Sequence, residues 1–173
     1  MPTLHLVRHA KSSRDEPGRD DHDRPLAPRG RAAAPAMARW MAANGIEPDL
    51  VIVSTAVRCL ETLTLMLPEL SVRPEIIAEP GLYLASSDDL MTRLRHLPAQ
   101  RNEVMLIGHN PGLHELAQAL AVGGNAVERQ RLVEKFSTAA LCSLLVQASW
   151  SALGPGRCRM IRFIRPSDIK NSS

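Results

Sequence analysis

The stretch TLHLVRHAKSS, residues 3–13, indicates both a fold and a site. Its first part, residues 3–7, is a short apolar run that predicts a buried β-strand. The run ends abruptly at Arg8 and His9, which are followed closely by a lysine and two serines. In an open parallel sheet, ligands bind beyond the carboxyl ends of the strands. Basic residues at the end of the first strand therefore predict an anion-binding site.

Other short apolar runs alternate with longer segments of helical periodicity. Strands are predicted at residues 49–54, 75–79, 103–108, 140–148 and 158–164. The last run alternates apolar and basic residues, so we expect it near an edge of the sheet. Alternating strands and helices are typical of βαβ units. We therefore expect an α/β fold, a three-layer α/β/α sandwich with a mostly parallel central sheet, in a single domain that spans residues 1–173.

Four segments have the spacing of apolar residues that an amphipathic helix requires. They are residues 33–44, 57–67, 90–97 and 113–120. Pro35 lies in the first segment, so we expect that helix to begin near Pro35 or to kink there. Asn110 is expected to cap the last helix, with Pro111 at its first position.

The composition limits the class of function. Apolar residues make up 45% and charged residues 23% of the chain, which is ordinary for a globular domain. One tyrosine, two phenylalanines and two tryptophans are few for a surface that stacks the bases of single-stranded nucleic acid. The formal charge of +3 comes from scattered basic residues, which favours an acidic small ligand or a protein partner over nucleic acid.

The cysteines and the apolar runs indicate no cofactor, disulfide or membrane anchor. Cys59, Cys142 and Cys158 are too widely spaced for a metal site or a disulfide framework. No metal-ligand spacing of histidine, cysteine and carboxylate residues occurs and no nucleotide-binding glycine motif, so we expect no metal and no cofactor. No apolar stretch approaches the length of a membrane span, and Met1 leads directly into a strand. We therefore expect a reduced, cytoplasmic protein that does not associate with membranes.

Two later strands also end beside groups that can bind phosphate. The strand at 49–54 leads into a helix whose first turn carries Arg58, and the strand at 103–108 is followed by His109. If these strands neighbour the first one, two arginines and two histidines converge. Two guanidiniums can bind the oxygens of a phosphoryl group. One neutral imidazole could attack phosphorus while the other, if protonated, stabilises the developing charge, and this chemistry requires no metal.

Several motifs resemble those of a known family. LVRHAKS (residues 6–12), STAVR (54–58) and GHNPGL (108–113) resemble, in this order, the histidine phosphatase superfamily with its phosphoglycerate mutase-like fold. The fuller pattern resembles the SixA-like phosphohistidine phosphatase branch, because it adds DDHDRPL, GLYLAS and KFSTAAL. The resemblance covers nearly the whole chain.

The resemblance implies roles for seven residues and no metal ligand. His9 matches the family's nucleophile. The residues that match the phosphate pocket are Arg8, Arg58 and His109. Substrate contacts are implied at Lys11, Ser12 and Thr138.

The proton donor of many relatives is missing. Those relatives carry a glutamate after the third strand, whereas this chain has Leu84 at that place. The candidates that remain are Asp20, Asp21, Asp23 and Glu79, or none. The aspartates lie in a charged loop, residues 14–25, which we expect to be mainly solvated, the alternative being a loop that faces the substrate. The missing acid disfavours a phosphate ester, whose alkoxide leaving group needs a proton, and suits a phosphoramidate.

These observations together predict a metal-independent phosphatase that forms a covalent phosphohistidine on His9. The predicted substrate is phosphohistidine on a protein, such as a signalling phosphotransfer domain. One alternative is a general phosphomonoesterase that acts on small phosphorylated metabolites. A mutase ranks below both because the chain has no long lid insertion. The alternative from another class is a non-catalytic module that binds a phosphorylated ligand.

Overall fold

Seven β-strands form one sheet in the computed structural model, which describes residues 1–170. The strands are β1 (Thr3–Arg8), β2 (Leu50–Ser54), β3 (Glu75–Glu79), β4 (Glu103–Gly108), β5 (Ala121–Val122), β6 (Leu141–Val146) and β7 (Cys158–Ile164). Their order across the sheet is β3-β2-β4-β1-β6-β7-β5. Only the two pairings of β6 are antiparallel. The predicted mostly parallel sheet is confirmed. The last three residues of the predicted domain, 171–173, lie outside the described residues.

Helices cover both faces of the sheet. They are α1 (Pro28–Ala43), α2 (Val57–Met66), α3 (Ser87–Arg95), α4 (Gly112–Leu120), α5 (Ala126–Glu134) and α6 (Pro166–Lys170). One core cluster joins α1, α2 and α6 to the sheet, and a second joins α3, α4 and α5 to the opposite face. Neighbouring residues of a strand point to opposite faces, so Leu6 packs in one cluster and Val7 in the other. The predicted three-layer arrangement is confirmed.

The predicted strands occur, and the expected position of the last one near an edge of the sheet is confirmed. β3 forms one edge, and β7 has only the two-residue β5 beyond it. The first helix does not begin near Pro35, which was one of the two alternatives that the sequence suggested. This helix begins at Pro28, because proline suits a first helical turn whose N–H groups need no partner within the helix. Pro35 lies inside it.

The predicted start of the helix after β4 is also wrong. This helix, α4, begins at Gly112, and the Asn110 side chain does not cap it. Instead the Asn110 amide donates a hydrogen bond to the Phe136 carbonyl at 2.9 Å, so it joins the loop before β6 to the end of β4. The sequence did not predict α5, which Asn125 caps.

Two glycines permit close approaches that set the position of the segment after β1 and of the loop before α3. A Cβ atom at Gly30 in α1 would lie 2.2 Å from the carbonyl oxygen of Lys11. A Cβ atom at Gly112 would lie 2.0 Å from the carbonyl oxygen of Ala85. Because no side chain fits at either place, glycine lets the backbone touch directly. Both contacts lie beside the carboxyl ends of the strands.

Candidate active site

The structure brings together the four residues predicted to form the phosphate pocket. β1 pairs with β4 in parallel, with Arg8 opposite Gly108, so His9 and His109 follow adjacent strand ends. The centroids of the two imidazole rings lie 5.4 Å apart. Arg58, in the first turn of α2, reaches the same point. These side chains line a cavity of about 320 Å³.

The His9 side chain is held in one tautomer. Its Nδ1 atom lies 2.8 Å from the carbonyl oxygen of Ala10. Because a carbonyl only accepts hydrogen bonds, Nδ1 carries the proton and Nε2 keeps a lone pair. Burial lowers the pKa of His9 to about 3, and the positive groups nearby act in the same direction. The ring is therefore neutral near neutral pH, with Nε2 available as a nucleophile.

The segment that follows His9 is fixed by backbone hydrogen bonds. The Ala10 amide donates to the hydroxyl of Thr62 at 2.9 Å, and that hydroxyl donates to the Arg58 carbonyl at 2.6 Å. The Ala139 amide donates to the carbonyls of both Arg8 and His9. Ala139 has a φ of 60°, an uncommon conformation for alanine. The loop before β6 therefore holds the end of β1 in place through these hydrogen bonds.

The two arginines keep unused donors. Arg8 donates from one terminal nitrogen to the Phe136 carbonyl at 3.0 Å, and Arg58 donates to the Asp21 carbonyl at 2.7 Å. The Nε atoms of Arg8 and Arg58 are buried and have no hydrogen-bond partner among the described residues. Burial and the neighbouring Arg58 lower the pKa of Arg8. Two buried guanidinium N–H groups without acceptors suit an anion, because a buried unpaired donor is costly.

His109 is also neutral, which differs from the expectation of a protonated second imidazole. Its Nδ1 atom lies 3.3 Å from a terminal nitrogen of Arg58, which can only donate. The proton therefore resides on Nε2, which donates to the Ser54 hydroxyl at 2.8 Å. Burial and then the charge of Arg58 lower the pKa of His109 to about 4. Near neutral pH, therefore, the arginines supply the positive charge of the site and the imidazoles do not.

The charged loop is mainly exposed, as expected, and Asp21 in this loop also lines the cavity. The Asp21 carboxylate accepts hydrogen bonds from the Tyr83 hydroxyl, from Arg24 at 3.0 Å and from Arg58 at 3.1 Å. The Tyr83 hydroxyl, together with these guanidiniums, holds the pKa of Asp21 well below its usual range. Asp21 is thus an ionised carboxylate near neutral pH and has no proton to donate.

The other three candidate donors lie away from the predicted nucleophile. Glu79 accepts three hydrogen bonds from Arg93, at 2.6 to 2.9 Å. Asp20 and Asp23 are exposed and do not line the cavity. Among the described residues, Asp21 is the one acidic residue of the cavity wall. Leu84, at the place of the relatives' glutamate, lines the cavity with 54% of its surface exposed.

The three predicted substrate contacts all line the cavity. Lys11 is exposed, and its side chain has no ion pair with any residue in the range 1–170. The Ser12 hydroxyl accepts a hydrogen bond from Arg24 at 2.8 Å. Thr138 is half-buried at the far wall. The described residues contain no group of three or more histidine, cysteine, aspartate or glutamate side chains that could hold a metal ion.

The sequence did not assign several residues that shape this site. Ser54 and Thr62 are fully buried and hold His109 and the segment after His9. Tyr83 binds Asp21 and lies edge-on to His109, with ring centroids 5.4 Å apart. Asn110 was expected only as a helix cap. Of these four residues, Ser54 could have been assigned to the site from the sequence, because it ends a predicted strand beside the site.

The chain matches a family model and a full-length relative. The model described as histidine phosphatase superfamily (branch 1) matches residues 4–83. Uncharacterized protein Rv1276c of Mycobacterium tuberculosis is 34% identical over 162 residues, which cover 92% of this chain and 99% of that protein. The chain therefore belongs to the histidine phosphatase superfamily.

Two solved structures have the same fold over nearly their whole length. A candidate phosphohistidine phosphatase SixA from Nakamurella multipartitia matches with a TM-score of 0.82 and 25% identity, over 95% of this chain and 96% of that one. A candidate SixA from Agrobacterium tumefaciens matches with a TM-score of 0.80 and 29% identity, over 96% and 99%. The predicted phosphoglycerate mutase-like fold is confirmed, and the protein is a phosphatase. No helix among residues 1–170 is long and apolar enough to cross a membrane.

The low pKa values of the two imidazoles predict a distinctive acid behaviour. We expect NMR titration to show His9 and His109 neutral down to about pH 5, below the ordinary histidine pKa of about 6.5. The unfolded chain takes up these protons near pH 6.5, whereas the folded protein does so only near pH 4 for His109 and pH 3 for His9. The free energy of unfolding should therefore fall as the pH is lowered through this range. Protonation of either ring near pH 6.5 would contradict the assignment.

Proposed function

We propose that this single-domain protein, residues 1–173, hydrolyses phosphohistidine on proteins through a covalent phosphohistidine at His9. The observation that carries the proposal is the arrangement of one free imidazole nitrogen beside two unpaired guanidinium donors. His9 Nε2 is unprotonated, and the buried Nε atoms of Arg8 and Arg58 have no acceptor among the described residues. A phosphoryl group between them would supply oxygens to both guanidiniums and a phosphorus atom to the nucleophile.

The first chemical step transfers the phosphoryl group to His9. The lone pair of His9 Nε2 forms a bond to phosphorus while the bond from phosphorus to the substrate's ring nitrogen breaks. The departing ring keeps the electron pair and leaves as neutral imidazole, because its other nitrogen carries a proton in the reactive form of the substrate. The hydrogen bond from His9 Nδ1 to the Ala10 carbonyl stabilises the positive charge that develops on the attacking ring.

The second step returns the enzyme to its starting state. The oxygen of a water molecule bonds to phosphorus, and the electron pair of the N–P bond returns to His9 Nε2. The water's protons remain on the phosphate product or pass to solvent. His109 acquires a role here, because a bound phosphate dianion raises the pKa of a neighbouring imidazole. Once protonated, His109 would donate to a phosphoryl oxygen in place of accepting from Arg58.

The absence of an acid in the cavity wall supports a phosphoramidate as the substrate. An alkyl ester must release an alkoxide, which needs a proton from a nearby acid. The cavity wall has Leu84 where relatives carry glutamate, and its one carboxylate, Asp21, is ionised. A phosphohistidine ring requires no such donor, because it leaves with its own proton.

A comparison of substrates tests this proposal. We expect free phosphohistidine and a phosphohistidine protein to be turned over without added metal, much faster than sugar, glycerate and aryl phosphate esters. His9→Ala should abolish turnover of all of them, because the other neutral imidazole, His109, has its unprotonated Nδ1 occupied by a hydrogen bond from Arg58. The measurement is phosphate release at matched substrate concentrations. Faster ester turnover would favour the phosphomonoesterase alternative, and tight phosphate binding without any turnover would favour the binding module.

Replacing Leu84 tests the reason for this substrate preference. Leu84→Glu places a carboxyl group at the cavity wall, so we expect ester turnover to rise at least about tenfold, since general acids contribute about 10²–10⁴. Leu84→Gln is the matched control, because it has the same shape and no proton to donate. Turnover of phosphohistidine should change little in either variant. Equal ester rates for the two variants would show that a missing acid does not set the preference.

A further inference from the structure

A groove between α1 and α6 adjoins the catalytic cavity. Its floor is apolar and consists of Ala32, Ala33 and Ala36 of α1, with Pro166 and Ile169 of α6 opposite. The groove has a volume of about 350 Å³, slightly more than the catalytic cavity. Small side chains on one wall keep it open, and Ile169 also packs against the core cluster below it. We refer to this feature as the α1–α6 groove.

The groove lies next to the catalytic cavity and shares two lining residues with it. Lys11 and Thr138 line both spaces, so a ligand whose phosphoryl group meets His9 can extend past them into the groove. Lys11 is in the segment directly after His9, and Gly30 lets that segment lie against α1. A small phosphorylated metabolite would be held by the catalytic cavity alone. The adjoining space suits a substrate that continues beyond its phosphoryl group.

The rim of the groove carries cations without partners. Lys11, Arg29 and Lys170 line it, and none of the three side chains has an ion pair within residues 1–170. Arg14, in the wall of the catalytic cavity, likewise has no ion pair within residues 1–170. By contrast, the next basic residue of α1, Arg31, lies 3.8 Å from the carboxylate of Glu61. Unpaired cations around an apolar floor attract a segment that combines carboxylates with an apolar side chain.

We propose that the α1–α6 groove docks an acidic segment of the phosphorylated substrate protein, with an apolar side chain on the alanine floor. This inference rests on the proposed function, because it assigns the part of the substrate beyond the phosphoryl group. The carboxylates of the segment pair with Arg29, Lys11 and Lys170. The groove thereby selects phosphohistidine in an acidic, partly apolar context over free phosphohistidine and over phosphohistidine in a basic context.

Two peptides of equal length test the docking. Each carries one phosphohistidine, flanked by glutamates and a leucine in one peptide and by lysines and a leucine in the other. We expect wild type to favour the acidic peptide about tenfold in kcat/KM, since three rim pairs of modest strength contribute. The preference should shrink at high ionic strength, because the rim charges are exposed. Equal kcat/KM for the two peptides would overturn the docking proposal.

Variants separate the groove from the general charge of the protein. Arg29→Glu and Ala32→Glu should remove the preference, the second by blocking the floor as well as repelling carboxylates. The matched control is Arg129→Glu, which makes the same charge change at an exposed position of α5 on the opposite face. Turnover of free phosphohistidine should be unchanged in all three, and thermal melting checks that each variant is folded. A loss in Arg129→Glu as large as in Arg29→Glu would overturn the proposal.

A binding measurement distinguishes failure of the groove from failure of the proposed function. Fluorescence anisotropy of the unphosphorylated acidic peptide requires no catalysis, and we expect Arg29→Glu to weaken its binding about tenfold. If neither phosphopeptide is hydrolysed, the proposed function fails, and the binding measurement alone then tests the docking proposal. Equal binding of the peptide by wild type and Arg29→Glu would overturn the docking proposal. So would a wild-type dimer that Arg29→Glu dissociates in sedimentation, because the occupant would then be a second copy of the chain.

Discussion

The in-register pairing of β1 with β4 is the constraint on which the site depends. The two strands run parallel from Thr3 opposite Glu103 to Arg8 opposite Gly108, and the His9 amide continues the ladder by donating to the Gly108 carbonyl at 3.1 Å. A slip of one residue would turn every side chain of β1 to the other face of the sheet. The core clusters on both faces prevent such a slip, because each buries alternate residues of these strands. Packing of the core therefore fixes the distance between the two histidines.

Burial then determines the charge state of the groups that meet there. His9, Arg58 and His109 are at most 7% exposed, so each loses most of its contact with water. Imidazoles respond by staying neutral, whereas guanidiniums remain charged because their pKa lies far above neutral pH. The result is a positively charged pocket in which the Nε2 atom of His9 is unprotonated. Asp21 balances part of that charge through its ion pair with Arg58.

Much of the fold and of the pocket could be predicted from the sequence, because both depend on local signals. The apolar runs at 3–7, 49–54 and 103–108 each lead to a group predicted to bind phosphate, and parallel pairing brings their ends to one edge. Contacts between distant loops have no such signal. Asn110 binds the Phe136 carbonyl instead of capping α4, and Asp21 reaches Arg58 across 37 residues. The neutrality of His109 likewise depends on burial, which a sequence pattern does not give.

Rapid-quench mass spectrometry can detect the proposed covalent phosphohistidine on His9 during turnover. The protein is mixed with free phosphohistidine, quenched in base within one turnover, digested and searched for a phosphoryl group. We expect one phosphoryl group on the peptide that contains His9, formed and lost at the rate of turnover and absent from His9→Ala. Turnover without a phosphoryl group on His9 at any time, or with one on a different residue, would contradict the proposed intermediate.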